Sequence, residues 1–285
     1  MTGEAGRRSF GEVGFAHLPG AVPADTLARV GAFLDRLMVP EPHERRLVMP
    51  SPAGPVVTNC DVLLDWGDPA LLELLAVPAL METVAAICGP DFFPVQEFAV
   101  IKHPGDGLPV LWHIDMPHRR SGPACTLGVY LDDSLAGQGA LRLVPGSHLS
   151  DEPIEALAQQ AAIEVPVRAG DAIVHDMLTA HSSSAMTAGT RRRVIYLEFL
   201  SVALAEAEAL YPPEYIAQRQ RILFAAQRYR AALCPDAPCF VPGFADPAPG
   251  DRHRSVVEVL REVHDTPVRP QPARYAMPTA VRAPA

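Results

Sequence analysis

Four residues in this chain carry side chains that together suit a metal centre: His113, Asp115, His181 and Arg192. Two imidazoles and one carboxylate are the ligand set with which non-heme Fe(II) sites hold the metal on one face and leave the remaining positions open. Arg192 adds a planar, permanently charged fork of the kind that binds a carboxylate in two places. The set therefore predicts an Fe(II) centre that works with a dicarboxylate cosubstrate.

The spacing of His113 and Asp115 fits a β-strand. Side chains two positions apart on a strand share a face, so both residues can reach one metal ion while Ile114 points away. Short apolar segments broken by Gly, Pro and Asp turns follow this pair, at 128–133, 139–148 and 170–175. That rhythm is typical of an antiparallel jelly roll. We therefore predict a mainly β protein with flanking helices, built on a double-stranded β-helix, that is, a cupin-like barrel.

Residues from about 92 to 201 resemble the phytanoyl-CoA dioxygenase family of double-stranded β-helix oxygenases. The matching motifs occur in the family's order, at 112–115, 131–133, 139–141, 145–148, 170–171, His181 with Ser183, and Arg192. The resemblance implies that His113, Asp115 and His181 are the iron ligands. It also implies that Arg192 and Ser183 bind the distal carboxylate of 2-oxoglutarate.

Two further positions, Gln96 and Thr126, match residues that touch the cosubstrate in some members of that family. Gln96 lies seventeen residues before His113, and Thr126 lies on the strand expected after the metal-binding loop. The resemblance thus extends the predicted cosubstrate site to these two side chains.

The resemblance implies an enzyme that uses Fe(II), 2-oxoglutarate and O₂ to hydroxylate an aliphatic C–H of a small molecule. Related halogenases have a small residue in place of Asp115, so its presence favours hydroxylation. A compact chain with a single lysine and many alanines suits secondary-metabolite tailoring, such as antibiotic biosynthesis. Two other classes stay open: a catalytically silent β-barrel that only binds a ligand, and a zinc-dependent hydrolase. Succinate formation distinguishes the three.

Alternation along the last predicted strand indicates which arginine of 191–193 faces the site. One face of that strand carries Arg193, Ile195, Leu197 and Phe199, and the other carries Arg192, Val194, Tyr196 and Glu198. The apolar face should pack under helices, and the mixed face should line the interior. We therefore expect Arg192 inside, with Arg191 and Arg193 at a turn or on the surface.

Several other histidines have simpler interpretations than metal binding. We expect His148 to bond a loop carbonyl, and His103 and His118 to be exposed or hydrogen-bonded. His175 lies six residues before His181 and is the alternative ligand, which the family pattern disfavours.

Composition narrows the class of protein. A chain of 285 residues with 48% hydrophobic content can bury one sizeable core. The formal charge of −9 makes a nucleic-acid partner unexpected. The sequence contains no stretch of about 18 apolar residues, and no signal-peptide core follows its N-terminus. We expect a cytoplasmic protein, a monomer or homodimer, with a small-molecule substrate and no membrane partner.

We predict one oxygenase domain over 1–233 and a proline-rich C-terminal extension over 234–285 that acts as a lid, a wrap or a subunit contact. Helical periodicity is expected over 27–37, over 69–88 with an interruption near Pro78, and over 212–233. We expect the loop 116–123 and the extension to select the substrate.

Overall fold

The computed structural model describes residues 10–105, 107–116, 120–186 and 191–265. The described strands are β1 (Phe15–Leu18), β2 (Arg46–Met49), β3 (Val56–Asp61), β4 (Phe92–Lys102), β5 (Val110–His113), β6 (Ala124–Tyr130), β7 (Leu141–Leu143), β8 (Ile163–Val165), β9 (Ala172–Asp176), β10 (His181–Ser183) and β11 (Arg192–Ser201). The helices are α1 (Ala24–Leu37), α2 (Pro78–Cys88), α3 (Ile154–Leu157), α4 (Val202–Ala207), α5 (Pro213–Leu233) and α6 (Val256–Asp265). Short 3₁₀ segments lie at Leu63–Asp65, Pro69–Ala76, Ser147–Leu149 and Pro249–His253.

The strands form two antiparallel sheets. The larger has the order β1-β9-β6-β11-β4-β3-β2, and the smaller has the order β5-β10-β7-β8. This confirms the predicted mainly β, jelly-roll architecture with flanking helices. Within the described ranges, hydrogen bonds do not join the two sheets into a closed ring, so the expected barrel is a pair of facing sheets.

Every residue of β11 is buried, and the two faces of the strand pack into different hydrophobic clusters, as the alternation in its sequence predicts. Ile195, Leu197 and Phe199 belong to the main core, which also contains residues of α1, α2, α5 and α6. Val194 and Tyr196 belong to a second cluster with Leu141 and Leu143 of the smaller sheet. The first face of β11 is therefore covered by helices, and the second face lies between the sheets.

The helices form where the sequence places apolar residues at helical spacing. α1 buries Val30, Phe33, Leu34 and Leu37 against the core. The predicted interruption near Pro78 is the junction between a 3₁₀ segment and α2, and α2 ends at Gly89, whose φ of 85° suits glycine. No single described helix is long and apolar enough to cross a membrane; the segments Pro69–Ala76 and Pro78–Cys88 meet that criterion only as a bent pair.

The described part of the C-terminal extension packs against the helices. The amide of Phe240 donates to Ala76 O at 2.9 Å, and Arg221 of α5 pairs with Asp251 at 2.7 Å. α6 inserts Val259, Leu260 and Val263 into the main core. We therefore propose that residues 234–265 brace the helix-covered face of the larger sheet, rather than select substrate as expected; residues 266–285 lie outside the described part.

Candidate metal and cosubstrate site

The three predicted metal ligands meet at one end of the smaller sheet. His113 ends β5 and His181 begins β10, and the two residues are directly paired in the antiparallel register. Asp115 follows β5, with its Oδ1 atom 3.5 Å from Nε2 of both histidines. One donor atom from each of the three residues lies within 4.8 Å of the others. Metal bonds of about 2.1 Å set neighbouring ligand atoms roughly 3 Å apart, so small shifts close this set around an ion.

Hydrogen bonds to the backbone fix the tautomer of both histidines. Nδ1 of His113 donates to Leu111 O at 2.7 Å, and Nδ1 of His181 donates to Thr179 O at 2.9 Å. With the proton on Nδ1, the Nε2 atom of each neutral ring presents a lone pair. Two lone pairs and a carboxylate oxygen therefore converge without a proton between them, which is the arrangement that a cation would stabilise.

The protonation states favour metal binding. Burial, together with the charge of neighbouring His181, lowers the pKa of His113 to about 4. Burial also lowers the pKa of His181. Burial alone would raise the pKa of Asp115, but the surrounding imidazoles and the Thr126 hydroxyl outweigh it and lower that pKa. At neutral pH the site therefore holds neutral imidazoles and an ionised carboxylate, the forms that bind metals.

Asp115 is held from the side opposite the two ligand histidines. The Thr126 hydroxyl on β6 donates to Asp115 Oδ2 at 2.6 Å. The backbone amides of Asp115 and Met116 both donate to Met177 O, at 2.9 and 3.1 Å. The residue that would complete the ligand set is thus positioned by Thr126 of the larger sheet and by Met177, which follows β9.

His175 lies beside the ligand set but is not among its members. It is buried on β9 next to Thr126 in the register, and its Nε2 is 3.8 Å from Asp115 Oδ2. That distance is too long for a hydrogen bond, and Nε2 has no hydrogen-bond partner in the described chain. Sequence reasoning treated His175 as an alternative ligand; the geometry places it as a neighbour of Asp115.

A row of polar side chains crosses the inner face of the larger sheet at the level of Asp115. The antiparallel register places four polar residues side by side on neighbouring strands: His175 on β9, Thr126 on β6, Glu198 on β11 and Gln96 on β4. Burial, and then the charges of Asp115 and Glu97, raise the pKa of Glu198 well above its usual range. Glu198 was not predicted as a site residue, although alternation along β11 placed it on the same face as Arg192.

Arg192 points into the space between the sheets. It is 1% exposed, its Nη1 donates to Gly139 O, and its Nε has no hydrogen-bond partner among the described residues. Ser183 pairs with Leu141 on β7, whose side chain also lies between the sheets. A buried guanidinium with an unused N–H fits a carboxylate, because an unpaired buried charge is costly.

The other arginines near this site have partners elsewhere. Arg193 is nearly buried and binds Asp132 and Asp35, so the expected surface role is wrong for this residue. Arg191 pairs with Asp35 at 2.7 Å. Arg120 of the loop after the metal strand pairs with Asp176.

The histidines interpreted as structural make backbone contacts. His148 Nε2 donates to Gly11 O at 3.0 Å, and His103 Nε2 donates to Val57 O at 2.9 Å. Residues 117–119 of the predicted loop 116–123, which include His118 and Arg119, lie outside the described residues.

The inward-facing side chains of β4 are less buried than the outward-facing ones. The inward residues Gln96, Phe98 and Val100 are half-buried, while outward Ala99 and Ile101 are fully buried. Leu111, two residues before His113 on β5, is 52% exposed.

Solved structures with a similar fold include several with described functions. EvdMO1 shares 30% identity at a TM-score of 0.63, over 70% of this chain and 50% of that one, so this chain spans half of that protein. AviO1 from Streptomyces viridochromogenes shares 28% identity at a TM-score of 0.64, over 72% of this chain and 97% of that one. The epimerase SnoN, in complex with Fe³⁺, alpha ketoglutarate and nogalamycin RO, shares 24% identity at a TM-score of 0.57, over 68% and 82%.

A search of curated protein sequences gave no match. A family model does match: the model for phytanoyl-CoA dioxygenase (PhyH) covers residues 10–194, well over half of the chain, including every predicted ligand and Arg192. The sequence motifs, the two facing sheets and the convergence of His113, Asp115 and His181 agree with that match, and the chain belongs to the phytanoyl-CoA dioxygenase family.

Proposed function

We propose that this protein is an Fe(II)- and 2-oxoglutarate-dependent oxygenase that hydroxylates an aliphatic C–H of a small molecule. The observation that carries the proposal is the convergence of two Nε2 lone pairs and Asp115 Oδ1 with no proton between them. A metal ion is the natural occupant of such a point, and two imidazoles with one carboxylate suit iron.

In this proposal His113, Asp115 and His181 hold the iron, and Arg192 with Ser183 binds the distal carboxylate of 2-oxoglutarate. Bound iron would supply O₂ activation, coupling the oxidative decarboxylation of 2-oxoglutarate to succinate with oxidation of the substrate. Thr126 acts through Asp115 rather than on the cosubstrate, since its hydroxyl is used by that carboxylate. Gln96, half-buried on the inner face of β4, keeps its predicted contact with the cosubstrate.

The protein's own contribution is positioning and exclusion of water. The tautomers of both ligand histidines are set by backbone carbonyls, so the lone pairs are directed before the metal arrives. Arg192 is almost fully buried, which strengthens its attraction for a carboxylate because little water competes. Both features reduce the reorganisation needed on binding.

A small-molecule substrate from secondary metabolism is supported by the SnoN comparison. SnoN is described as an epimerase from nogalamycin biosynthesis. The half-buried side chains of Phe98 and Val100 on the inner face of β4 suit contact with an apolar portion of a substrate. The reaction at that portion is proposed to be hydroxylation, because Asp115 occupies the position that a halide would need.

Succinate formation tests the function. Purified protein with Fe(II), 2-oxoglutarate and ascorbate should form succinate slowly without substrate and faster with it, and the product should be heavier by one oxygen atom. Asp115→Ala should abolish succinate formation, because two imidazoles alone hold iron weakly. Asp133→Ala is the matched control, since Asp133 pairs with Arg168 on the surface.

The absence of succinate separates the two other classes from the oxygenase, and the response to Zn²⁺ separates them from each other. A silent ligand-binding protein forms no succinate under any condition. A zinc-dependent hydrolase also forms none, and its activity would follow added Zn²⁺ rather than Fe(II).

A further inference from the structure

We infer that Lys102 is a positioning residue of the cosubstrate pocket, where its hydrogen bonds hold the end of β10 beside Arg192. The inference rests on the proposed function and extends it. It begins from the register of the larger sheet: Lys102 on β4 lies directly opposite Arg192 on β11. Residues directly opposite in an antiparallel pair have side chains on one face, with Cβ atoms about 5 Å apart.

Both cations are almost completely buried, Lys102 at 2% and Arg192 at 1% exposure. Both also cross from the larger sheet to the smaller one. The Lys102 ammonium donates to Ser183 O at 3.1 Å and to Ser184 O. Arg192 donates to Gly139 O, in the segment that leads into β7.

Gly139 joins these contacts into one cluster. It has a φ of 78°, which favours glycine, and a Cβ built there would lie 3.1 Å from Ser184 O and 3.6 Å from Lys102 Cδ. The Lys102 and Arg192 contacts between the sheets therefore lie side by side at Gly139. A displacement of β10 would change the surroundings of Arg192.

The position of Ser183 follows from these contacts. Its carbonyl is held by Lys102, and its side chain shares the inner face with His181, two residues earlier on β10. Lys102 thus fixes the position of Ser183 relative to Arg192 in the proposed carboxylate pocket. It also places an ammonium group beside that pocket.

The choice of residue type fits this role. The chain uses arginine at all its other basic positions and lysine only here. A lysine is a compact point charge on a slender stem, whereas a second guanidinium fork would compete with Arg192 for the same space.

Binding measurements with a matched pair of 2-oxo acids test the inference. The Mn(II)-loaded protein would be titrated calorimetrically with 2-oxoglutarate and with 2-oxopentanoate, which has the same chain length but no distal carboxylate. Lys102→Met should raise the Kd for 2-oxoglutarate about tenfold, as loss of an outer positioning contact does. It should leave the Kd for 2-oxopentanoate and for Mn(II) within twofold.

Arg191→Met is the control, since Arg191 pairs with Asp35 near the surface and should leave both affinities unchanged. Lys102→Gln, which keeps one N–H donor group, replaces the Met variant if that variant does not fold. Equal weakening of both 2-oxo acids would show that Lys102 serves the fold alone and would overturn the inference. Unchanged 2-oxoglutarate affinity would also overturn it, whereas a wild-type protein that binds neither 2-oxo acid would overturn the proposed function as well.

Discussion

Thr126 holds one oxygen of Asp115 and leaves the other for the ligand histidines. Its hydroxyl donates to Oδ2 at 2.6 Å, while Oδ1 lies 3.5 Å from Nε2 of both His113 and His181. The donor comes from the larger sheet, and both histidines come from the smaller one. The geometry of the proposed metal centre therefore depends on a contact between sheets that involves no ligand histidine.

Thr126→Val should weaken metal binding while the protein stays folded. Valine has nearly the same shape, so the change removes the hydrogen bond and frees the carboxylate to rotate. We expect about tenfold lower affinity for Mn(II), measured by calorimetry, in line with other outer contacts to metal ligands. Thr83→Val in α2 removes a similar hydroxyl, which donates to Ala79 O far from the ligands, and should leave the affinity unchanged. An unaltered affinity in Thr126→Val would mean that the Oδ2 contact does not orient Asp115.

Arg192→Ala should raise the 2-oxoglutarate concentration needed for half-maximal succinate formation at least tenfold. Losing one partner of a buried charge-assisted pair costs about 2 to 5 kcal/mol. Arg191→Ala should change this concentration little, because Arg191 pairs with Asp35. If Arg191→Ala instead had the larger effect, the alternation along β11 would have identified the wrong arginine as the one that binds the cosubstrate.

The buried pair Glu97–Arg219 should make stability depend on pH. Burial raises the pKa of Glu97, but the Arg219 guanidinium at 2.6 Å and His264 outweigh burial and lower it. A depressed carboxyl pKa contributes stability that is present above the ordinary value and is lost as pH falls through the depressed one. Glu97→Gln should lower the free energy of unfolding by about 3 kcal/mol at pH 7, since it leaves Arg219 buried without its anion.

Urea unfolding at a series of pH values checks this prediction. The difference between wild type and Glu97→Gln should shrink as pH falls below about 4, the ordinary carboxyl value. Glu82→Gln, at an exposed position of α2, is the control and should show no such trend. A difference that stays constant with pH would assign the effect of Glu97→Gln to packing.

Shortening the chain at residue 245 should destabilise it relative to a chain that ends at residue 265. The first truncation removes Val259, Leu260 and Val263 from the main core, together with Asp251, the partner of Arg221. Burial of such side chains contributes about 1.5 to 3 kcal/mol each. Thermal unfolding of both truncated proteins measures the effect, and equal melting temperatures would show that α6 contributes little.

Short-range patterns were sufficient for much of the fold and the site. Alternation along β11 separates inward Arg192 from outward Ile195, because side chains on a strand change face at every residue. The same rule put His113 and Asp115 on one face. Helical spacing indicated α1, and Pro78 and Gly89 marked the interruption and the end of α2.

Contacts between segments that are distant in the sequence could not be predicted from such local patterns. Arg193 was expected at the surface, but its partners Asp132 and Asp35 lie 61 and 158 residues away. The Lys102–Arg192 pairing depends on strand register, which no local pattern specifies. For the segment after Cys234, the sequence indicated periodicity only near 255–263 and left a lid, a wrap and a subunit contact open, because proline content does not specify what Phe240 and α6 pack against.

The half-buried inner side chains of β4 imply that greater stability of the native state would reduce the space available to a substrate. Half-buried side chains leave part of their apolar area in water, so Phe98 and Val100 stabilise the native state less than fully buried side chains would. Larger side chains there would make the protein harder to unfold while narrowing the approach to Asp115. Selection for a more stable variant should therefore favour larger side chains at the inner positions of β4. Selection for larger substrates should favour smaller side chains there.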